Sequence, residues 1–552
     1  MNPALAEQVL SWIALDPDAD DRAELQSLLD RGNEPELERR FAAPLAFGTA
    51  GLRGPVMAGP AGMNRLTVRR ATQGVVAWLA EIGAETANGV VVGRDARRGS
   101  ETFNDEVVAV LLGAGVVVHE MPGPLPTPLV PYCVKALGAA AGIMVTASHN
   151  PPLDNGFKLY ARDGAQIIAP NDEIVERYAR NAEAPTLETR SSELHHRVPD
   201  ELLARYRSHF AERFGATDAG DLKIAYTPLH GVGGSFMMRL FAQAGFRSVT
   251  VVEAQFEPDG TFPTLPFPNP EEPGALDLAM ACADECRADL VIANDPDADR
   301  LGAAVRGPAG WRLLRGDEIG WLLASVLLPA MADPRDVVAT TIVSSTLLAE
   351  MASAAEVRFA TTLTGFKWIS RAAGDGVLRF GYEEALGYAV DPAVADKDGM
   401  SAGLALARLA LDLSRDGRTL LDRLDEIEMR FGVHALSHLS IRAEGPEGLR
   451  AIAQAVAALR EDPPPTLGGV TVTEAVDLAL GYAGLAPTDG VLLILGSRGR
   501  VVVRPSGTEA KLKAYIEMTT EPTDGPMLEA RRTDAASAVG RIRADLEALL
   551  AF

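Results

Sequence analysis

The apolar positions of the chain fall into short runs that alternate with amphipathic segments. Apolar runs at 90–92 and 116–118 flank an amphipathic segment that begins near Ser100, and a third run ends at Val145. Short apolar runs predict buried strands, and apolar residues spaced three and four apart predict a helix. This order predicts a βαβαβ unit built on a largely parallel sheet.

A similar order occurs twice more before the chain changes character. Further strands are predicted at 224–226, 249–252 and 290–293 in a second unit, and at 337–343 and 377–380 in a third. Beyond the proline-rich break at 462–465, a glycine loop joins two predicted strands, 500–503 and 511–517, which indicates an α+β domain. We therefore predict an α/β fold with three similar mixed-sheet domains and a C-terminal α+β domain.

The residues before the first strand are predicted to be helical. Residues 1–45 contain an apolar face with Trp12 and Ile13, followed by Asp16-Pro-Asp-Ala-Asp20 and a second amphipathic run. Because acidic residues favour the first turn of a helix, Asp20 or Asp21 is predicted to be the N-cap. The predicted domain boundaries, with these helices in the first domain, are 1–205, 206–318, 319–436 and 437–552.

Composition narrows the possible functions. The 552 residues are 47% hydrophobic, which supports several globular domains, and no apolar run approaches the roughly 20 residues of a membrane span. A net charge of −23 argues against nucleic acid and anionic membranes as partners. The three cysteines, Cys133, Cys282 and Cys286, have no CxxC spacing, and Cys282 and Cys286 fit helix packing. With no export signal apparent at the N-terminus, a cytoplasmic protein is expected.

One predicted strand delivers a serine to its carboxyl end. The run that ends at Val145 is followed by Thr146-Ala-Ser-His-Asn-Pro-Pro152, whose prolines end the pairing of the strand. Because ligands of open α/β sheets bind at the carboxyl ends of strands, Ser148 and His149 are candidate functional residues. An ordinary polar turn is the alternative. A second turn after Asp154 is predicted to carry Lys158 back towards the serine.

Three aspartates alternate after the last strand of the second unit. An extended loop would place Asp295, Asp297 and Asp299 on one side, and three carboxylates so close together require a cation. Oxygen ligands favour Mg²⁺, Mn²⁺ or Ca²⁺. A calcium EF-hand is excluded, because Arg300 and Arg306 stand where it needs glycine and glutamate. A solvated acidic turn is the alternative to a catalytic Mg²⁺ site.

A basic loop near the C-terminus is a candidate phosphate clamp. Arg504-Pro-Ser-Gly-Thr508 offers a guanidinium, two hydroxyls and a glycine backbone to phosphate oxygens, and its alternative is a simple hairpin turn. Arg53 lies among three glycines and is a second candidate phosphate ligand. Glu383 and Glu384 offer acceptors suited to sugar hydroxyls, and Lys397 follows them.

Four of these motifs together resemble the signature loops of the α-D-phosphohexomutases. They occur in the family's order, as Thr146-Ala-Ser-His-Asn-Pro151, Asp295-Pro-Asp-Ala-Asp-Arg300, Glu383-Glu384 and Arg504-Pro-Ser-Gly-Thr508. The long N-terminus, the loop Phe47–Arg53, Leu363–Trp368 and Asp396–Gly399 are more similar to the phosphoglucomutase-2 and phosphopentomutase branch than to shorter bacterial phosphomannomutases. The resemblance implies four domains around a central cleft.

The resemblance also implies a role for each candidate. Ser148 would be carried as phosphoserine and would complete, with the three aspartates, a site for one Mg²⁺ per subunit. Arg53 and Arg300 would stabilise the transferring phosphoryl group, and His149 and Lys158 are the two candidate general acid/base residues. The implied substrate-binding residues are Thr364 and Glu383 for the sugar, and Lys397, Arg504, Ser506, Gly507 and Thr508 for the phosphate that is not reacting.

The resemblance implies a phosphosugar mutase, monomeric or homodimeric, whose partners are small sugar phosphates and whose activator is a hexose 1,6-bisphosphate. Interconversion of glucose 1-phosphate and glucose 6-phosphate is the predicted reaction. The alternatives are a phosphomannomutase, a phosphopentomutase, a glucose 1,6-bisphosphate synthase and a non-catalytic sugar-phosphate-binding protein. Ala385 stands where many glucose-directed members have a hydroxyl, which leaves the sugar open. Ala510 replaces the usual proline and is expected to affect only loop stiffness.

Two other enzyme classes fit the sequence poorly. A serine hydrolase would use the adjacent Ser148 and His149, but the Gly-x-Ser-x-Gly elbow is absent around Ser148 and the aspartate triplet would have no use. An NTPase would need a Gly-x-x-x-x-Gly-Lys-Ser/Thr loop, which the chain does not contain. Neither class explains the four motifs together.

Overall fold

The computed structural model describes residues 2–48, 51–216, 222–443, 445–506 and 511–550. The chain divides into two units. The first comprises Met1–Leu314 and Gly387–Leu411, and the second comprises Arg315–Leu386 and Asp412–Phe552.

Three helices begin the first unit, α1 (Pro3–Leu15), α2 (Ala19–Asp30) and α3 (Glu34–Phe41). Trp12 is buried in the apolar core that these helices share, as the amphipathic pattern predicted. Asp18 is the N-cap of α2, because its side chain accepts the N–H groups of Asp20 and Asp21. The prediction that Asp20 or Asp21 is the cap was therefore wrong. The acidic string still lies at the start of a helix, where carboxylates interact favourably with the positive end of the helix dipole.

The first sheet has six strands in the order β1-β5-β4-β2-β3-β6. Its elements in chain order are β1 (Leu52–Pro55), α4 (Arg65–Glu81), β2 (Val90–Arg94), α5 (Ser100–Gly113), β3 (Val118–Pro124), α6 (Leu129–Leu137), β4 (Ala141–Val145), β5 (Asp154–Ala161), α7 (Asn171–Arg180), β6 (His195–Arg197) and α8 (Asp200–Phe214). The middle strands pair in parallel, and β5 and β1 add two antiparallel strands. The residues Val90–Val92 are buried, as is usual for a parallel strand covered on both faces.

The second sheet has five strands in the order β11-β10-β9-β7-β8. Its elements are β7 (Ile224–Thr227), α9 (Gly234–Gln243), β8 (Val249–Val251), α10 (Glu253–Phe256), α11 (Asp277–Cys286), β9 (Leu290–Asn294), β10 (Leu301–Gly307) and β11 (Gly310–Leu313). Strands β8, β7 and β9 are parallel, and β10 and β11 are antiparallel additions. Cys282 and Cys286 are free thiols that pack against the core from α11, in agreement with the helix-packing interpretation.

The third sheet belongs to the second unit. Its elements are α12 (Gly316–Leu327), β12 (Asp336–Thr341), α13 (Leu347–Ala354), β13 (Arg358–Thr362), α14 (Phe366–Ile369) and β14 (Val377–Glu383). Strand β12 pairs in parallel with both β13 and β14. The chain then returns to the first unit through β15 (Gly387–Ala389) and most of α15 (Gly399–Arg415), and Gly387 forms a β-bridge with Arg300 there.

The C-terminal sheet is entirely antiparallel, in the order β16-β21-β20-β19-β18-β17. Its elements are α16 (Leu420–Phe431), β16 (His434–Arg442), α17 (Gly445–Glu461), β17 (Thr466–Leu467), β18 (Val470–Asp477), β19 (Val491–Leu495), β20 (Gly499–Pro505), β21 (Lys511–Thr519) and α18 (Gly525–Leu549). The predicted fold class, three α/β domains followed by one α+β domain, is therefore confirmed. Within the described ranges, every helix is too short or too polar to cross a bilayer.

Candidate active site

Ser148 lies just beyond the carboxyl end of β4, where the strand pattern predicted it. The residue is buried and has a φ of +52°, a left-handed conformation that is uncommon outside glycine and often marks functional loops. Its N–H donates to Thr146 Oγ1 at 2.9 Å, and its hydroxyl donates to Asp295 Oδ2 at 2.7 Å. His149 Nδ1 lies 3.2 Å from the same hydroxyl oxygen. The serine loop of the first sheet therefore meets the aspartate loop of the second.

The three aspartates follow β9 and are fully buried, and Lys158 lies among them. Lys158 Nζ donates to Asp297 Oδ2 and Asp299 Oδ2, each at 2.7 Å. The lysine is in the middle of β5, opposite Met144 on β4, so the prediction of a turn at this point was wrong. Burial lowers the pKa of Lys158, but the two carboxylates outweigh burial and raise it overall. The lysine is therefore held as a cation within the aspartate cluster.

The aspartate cluster fits a hard divalent cation. One oxygen from each of Asp295, Asp297 and Asp299 lies within 4.8 Å of the others. Asp297 Oδ1 and Asp299 Oδ1 are buried and have no hydrogen-bond partner among the residues that the structure describes. Burial, followed by the two neighbouring carboxylates, raises the pKa of Asp295 well above its ordinary value. Buried carboxylate oxygens without partners are the donor set that Mg²⁺ takes.

Two arginines from different elements border this cluster. Arg53, on β1, is half-buried and donates to Asn150 Oδ1 at 3.2 Å, and its buried Nε has no hydrogen-bond partner within the described ranges. Arg300 donates its backbone N–H to Asp295 Oδ1 at 2.9 Å, and its Nε lies 4.0 Å from Asp299 Oδ1. The structure thus brings both predicted arginines to the serine and the aspartates.

Lys397 and His149 are the two remaining ionisable candidate residues of the first unit. Lys397 Nζ lies 3.3 Å from Asp299 Oδ2, which places this lysine at the aspartate cluster. Burial, followed by the positive charges of Arg300 and Arg53, lowers the pKa of His149 well below its ordinary value. The imidazole is therefore neutral, and its Nδ1 is the nitrogen that lies close to the serine hydroxyl.

The predicted sugar residues and the clamp residues other than Lys397 belong to the second unit. Thr364 Oγ1 is buried without a hydrogen-bond partner among the described residues, and Glu383 is a buried residue at the end of β14. Arg504 lies on β20 opposite Lys513, and the N–H of Ser506 donates to Lys511 O at 2.7 Å. Gly507, Thr508 and Ala510 lie outside the described residues.

A buried polar network in the second unit holds the loop after β12. Glu517, on β21, accepts hydrogen bonds from Ser345 Oγ at 2.7 Å, from the N–H of Thr346 at 2.9 Å and from Arg500 Nε at 2.7 Å. Asp317 Oδ1 accepts the N–H of Ser345 at 2.8 Å and the Tyr382 hydroxyl at 2.9 Å. Tyr382 directly precedes Glu383, so this network fixes the end of the strand that carries the predicted sugar ligand.

Comparison with known families settles the family. Models of phosphoglucomutase/phosphomannomutase match the chain in four consecutive segments: alpha/beta/alpha domain I at residues 44–185, domain II at 204–309, domain III at 315–430 and the C-terminal domain at 441–525. The chain belongs to the phosphoglucomutase/phosphomannomutase family. The resemblance to α-D-phosphohexomutases is thereby confirmed.

Relatives of this family member share one reaction and differ in the sugar. A "Probable phosphomannomutase" of Haemophilus influenzae is 39% identical over 83% of this chain and 93% of its own. A "Probable phosphoribomutase" of Schizosaccharomyces pombe is 35% identical over 94% of both chains. A "Phosphoglucomutase" of Staphylococcus haemolyticus is 34% identical over 88% of this chain and 92% of its own. The protein is therefore a phosphosugar mutase, an enzyme that transfers phosphate within sugar phosphates.

The mutase also holds its serine loop with residues that the sequence analysis missed. Arg97 is buried and donates to the carbonyl oxygens of Ser148, Asn150, Pro151 and Asp154. The signal was present, because Asp95 and Arg97 follow a buried strand, as Ser148 does. Arg97 acts as a positioning residue, since its guanidinium meets the loop backbone.

Two further contacts hold the aspartate loop of the mutase. Thr127 donates its N–H to the carbonyl of Asp297 at 2.8 Å and its hydroxyl to Asp297 Oδ2 at 2.5 Å. A Cβ on Gly231 would lie 2.4 Å from both Cα and O of Pro296, so only glycine fits this close approach. No sequence signal distinguishes Thr127, because its contact joins two loops that are far apart in the chain.

Proposed function

We propose that this mutase interconverts α-D-glucose 1-phosphate and glucose 6-phosphate through a phosphoserine at Ser148 and a glucose 1,6-bisphosphate intermediate. The observation that carries the proposal is the serine hydroxyl 2.7 Å from Asp295 Oδ2, within a buried cluster where two carboxylate oxygens have no hydrogen-bond partner in the described part of the chain. Such a cluster suits a phosphorylated serine and a cation together, whereas a hydrolase serine has no use for it.

The cluster would hold the metal. Asp295, Asp297 and Asp299, with an oxygen on Ser148, are the proposed ligands of one Mg²⁺, which when bound would supply positive charge to the oxygens of the phosphoryl group. Arg53 and Arg300 border the same cluster and are proposed to stabilise the charge that spreads over those oxygens during transfer. Arg97 would keep the serine loop in place while the phosphoryl group moves.

The reaction needs two transfers in opposite directions. In the first, a sugar hydroxyl attacks phosphorus, the bond from phosphorus to Ser148 Oγ breaks, and the hydroxyl proton passes through a protein base to Ser148 Oγ. The bisphosphate then turns end for end. In the second transfer, Ser148 Oγ attacks the other phosphoryl group, the phosphorus–sugar oxygen bond breaks, and the proton returns to the sugar oxygen. The two transfers together consume no phosphate. Free hexose 1,6-bisphosphate acts as an activator because it restores the phosphoserine after accidental hydrolysis.

Two residues remain candidates for the base. His149 Nδ1 lies 3.2 Å from the serine oxygen, and Lys158 Nζ lies between two carboxylates. Variants separate them, because His149→Gln and Lys158→Met each remove one group that can carry the proton, from the serine loop and from β5 respectively. The base is the residue whose loss abolishes transfer from phosphoserine to sugar, measured in a single turnover, while Mg²⁺ binding is retained.

Substrate recognition is proposed to use both ends of the sugar phosphate. Thr364 and Glu383 are proposed to meet the sugar hydroxyls, because the buried hydroxyl of Thr364 has no hydrogen-bond partner among the residues that the structure describes. Arg504, Ser506, Gly507 and Thr508 are proposed to bind the phosphate that is not reacting, because arginine and hydroxyl donors match its oxygens. The contact of Lys397 with Asp299 favours a place for this lysine at the reacting phosphoryl group instead.

A pentose phosphate is the second candidate substrate. The observation that favours it is the match to the Schizosaccharomyces pombe relative, named a probable phosphoribomutase, along 94% of both chains. Ala385 supports the same alternative, since it offers no hydroxyl in the sugar loop. Mannose phosphate and net synthesis of glucose 1,6-bisphosphate are the remaining possibilities, and the non-catalytic alternative is not retained because the family assignment identifies an enzyme.

One set of kinetic measurements tests the substrate. We would compare kcat/KM for glucose, mannose, ribose and deoxyribose 1-phosphates, with Mg²⁺ and the matching bisphosphate present. The proposal predicts the highest value for glucose 1-phosphate. A higher value for ribose 1-phosphate would assign a phosphopentomutase, and equal values would refute the preference for glucose. Accumulation of bisphosphate faster than of the 6-phosphate would assign the synthase.

A further inference from the structure

A second cavity lies in the first unit among the N-terminal helices, β1 and the helices α4 and α7. Its volume is about 650 Å³, within the range of about 300 to 1,000 Å³ that is usual for small-molecule sites. Aromatic and aliphatic side chains form most of its wall, among them Trp12, Phe41 and Phe47, with Leu15 at 51% exposure. It shares no lining residue with the serine, the aspartates or their arginines.

Arg70, on α4, gives this apolar cavity a positive charge that Asp16 compensates only in part. The guanidinium stacks on the Trp12 ring at 5.0 Å, and its Nε is buried without a hydrogen-bond partner among the described residues. Burial lowers the pKa of Arg70, opposed only in part by Asp16. A buried donor without a partner is costly, so an anion placed here would be stabilised.

The other charged residues that line the cavity do not neutralise Arg70. Glu176 accepts the N–H of Phe47 at 2.6 Å with one oxygen and pairs with Arg180 at 3.2 Å through the other. Glu7 is exposed at the rim, on α1. The free position for a negative group is therefore beside Arg70, next to the aromatic wall.

We propose that this cavity is a binding site for a small organic anion, with an aromatic or apolar body against Trp12, Phe41 and Phe47 and one acidic group on Arg70. The volume admits a drug-sized body, such as two fused rings that carry a third. The aromatic side chains in the wall suit an aromatic acid better than a sugar phosphate.

The position of the cavity connects it to Arg53. Leu52, the residue before Arg53, lines the cavity, and so does Leu45, whose side chain would be 2.9 Å from a Cβ on Gly54. A bound ligand would thus pack against Leu52, one chain neighbour of Arg53, and against Leu45, which lies close to the other neighbour, Gly54. We expect occupancy of the cavity to change the turnover of the mutase.

The test uses two fluorescent probes of similar shape, the anion anilinonaphthalene sulfonate and the neutral phenylnaphthylamine. The anion is expected to bind the wild-type enzyme with one site, and Arg70→Met is expected to weaken it about tenfold, the usual loss for one charge-assisted hydrogen bond. The neutral probe should bind both proteins alike. Arg162→Met, which removes an exposed arginine outside the cavity, is the matched control and should bind both probes as the wild type does.

Several outcomes would overturn the proposal. Equal binding of the anion to wild type and Arg70→Met would show that Arg70 is not part of the site. Loss of both probes by Arg70→Met would point to misfolding of the variant. The site would then stand only if circular dichroism and an unchanged kcat/KM without probe showed that the variant is folded. A probe signal per molecule that falls as protein concentration rises would assign the cavity to a second copy of the chain. Unchanged turnover at saturating anion would refute the connection to Arg53.

Discussion

Replacing Asp317 by asparagine should make the second unit more stable at alkaline pH. The Asp317 carboxyl is fully buried, and burial raises its pKa from 3.8 to about 7. Asparagine can still accept the N–H of Ser345 and the Tyr382 hydroxyl through its carbonyl oxygen, but it does not titrate. The variant therefore removes the cost of ionising this carboxyl and keeps its two hydrogen bonds.

The sign follows from which state releases the proton first. The folded protein keeps the Asp317 proton up to about pH 7, whereas the unfolded chain loses it near the ordinary pKa of 3.8. Stability is therefore lost as pH rises between these values and is constant above them. Because of one group with these two pKa values, the folded state is about 2 kcal/mol less stable at about pH 8.5 than at about pH 5.5.

Hydrogen exchange with mass spectrometry measures this locally. The opening free energy of the peptide 341–346, which contains the Ser345 amide, would be compared between wild type and variant at each pH, so that intrinsic exchange rates cancel. The advantage of Asp317→Asn should grow by about 2 kcal/mol between about pH 5.5 and about pH 8.5. Asp375→Asn, at an exposed carboxylate of the same unit, should show no such trend. A constant difference between wild type and Asp317→Asn would refute a raised pKa.

Two further variants test how the catalytic loops are held. Arg97→Lys should lower kcat about a hundredfold without unfolding the protein, because lysine cannot hold four carbonyls of the serine loop. Arg98→Lys changes an exposed neighbour and should leave kcat unchanged in the same mutase assay. Gly231→Ala should push Pro296 away and weaken Mg²⁺ binding at least tenfold, measured by isothermal titration. Gly123 has open space around it, so Gly123→Ala should bind Mg²⁺ as the wild type does. Normal Mg²⁺ binding by Gly231→Ala would contradict the close approach of Gly231 to Pro296.

The fold was readable from the sequence because parallel strands covered on both faces appear as continuous apolar runs. Val90–Val92 is such a run, and the polar residues that follow the strands mark the edge where Ser148 and the aspartates meet. The C-terminal α+β domain was also predicted, from two strands on either side of a glycine loop. These features are local, so a single sequence contains them.

The position of Lys158 was misread because its strand contains turn residues. Asp154-Asn-Gly156 has the composition of a turn, yet a Cβ on Gly156 would lie 2.6 Å from both the Leu52 and the Thr146 carbonyl oxygens. The glycine allows β5 to fit between β1 and β4, which composition alone does not reveal. The contacts of Lys397 with Asp299 and of Arg97 with the serine loop likewise depend on chain segments that pair only in the folded protein.

The measurement that tests the account most directly is the phosphorylation of Ser148. The enzyme would be incubated with Mg²⁺ and glucose 1,6-bisphosphate, and its intact mass and phosphopeptides determined. We predict one phosphate, located on Ser148, that is released when glucose 1-phosphate is added, and no phosphate and no mutase activity in Ser148→Ala. Phosphate on another residue, or a Ser148→Ala protein with full mutase activity, would contradict the mechanism.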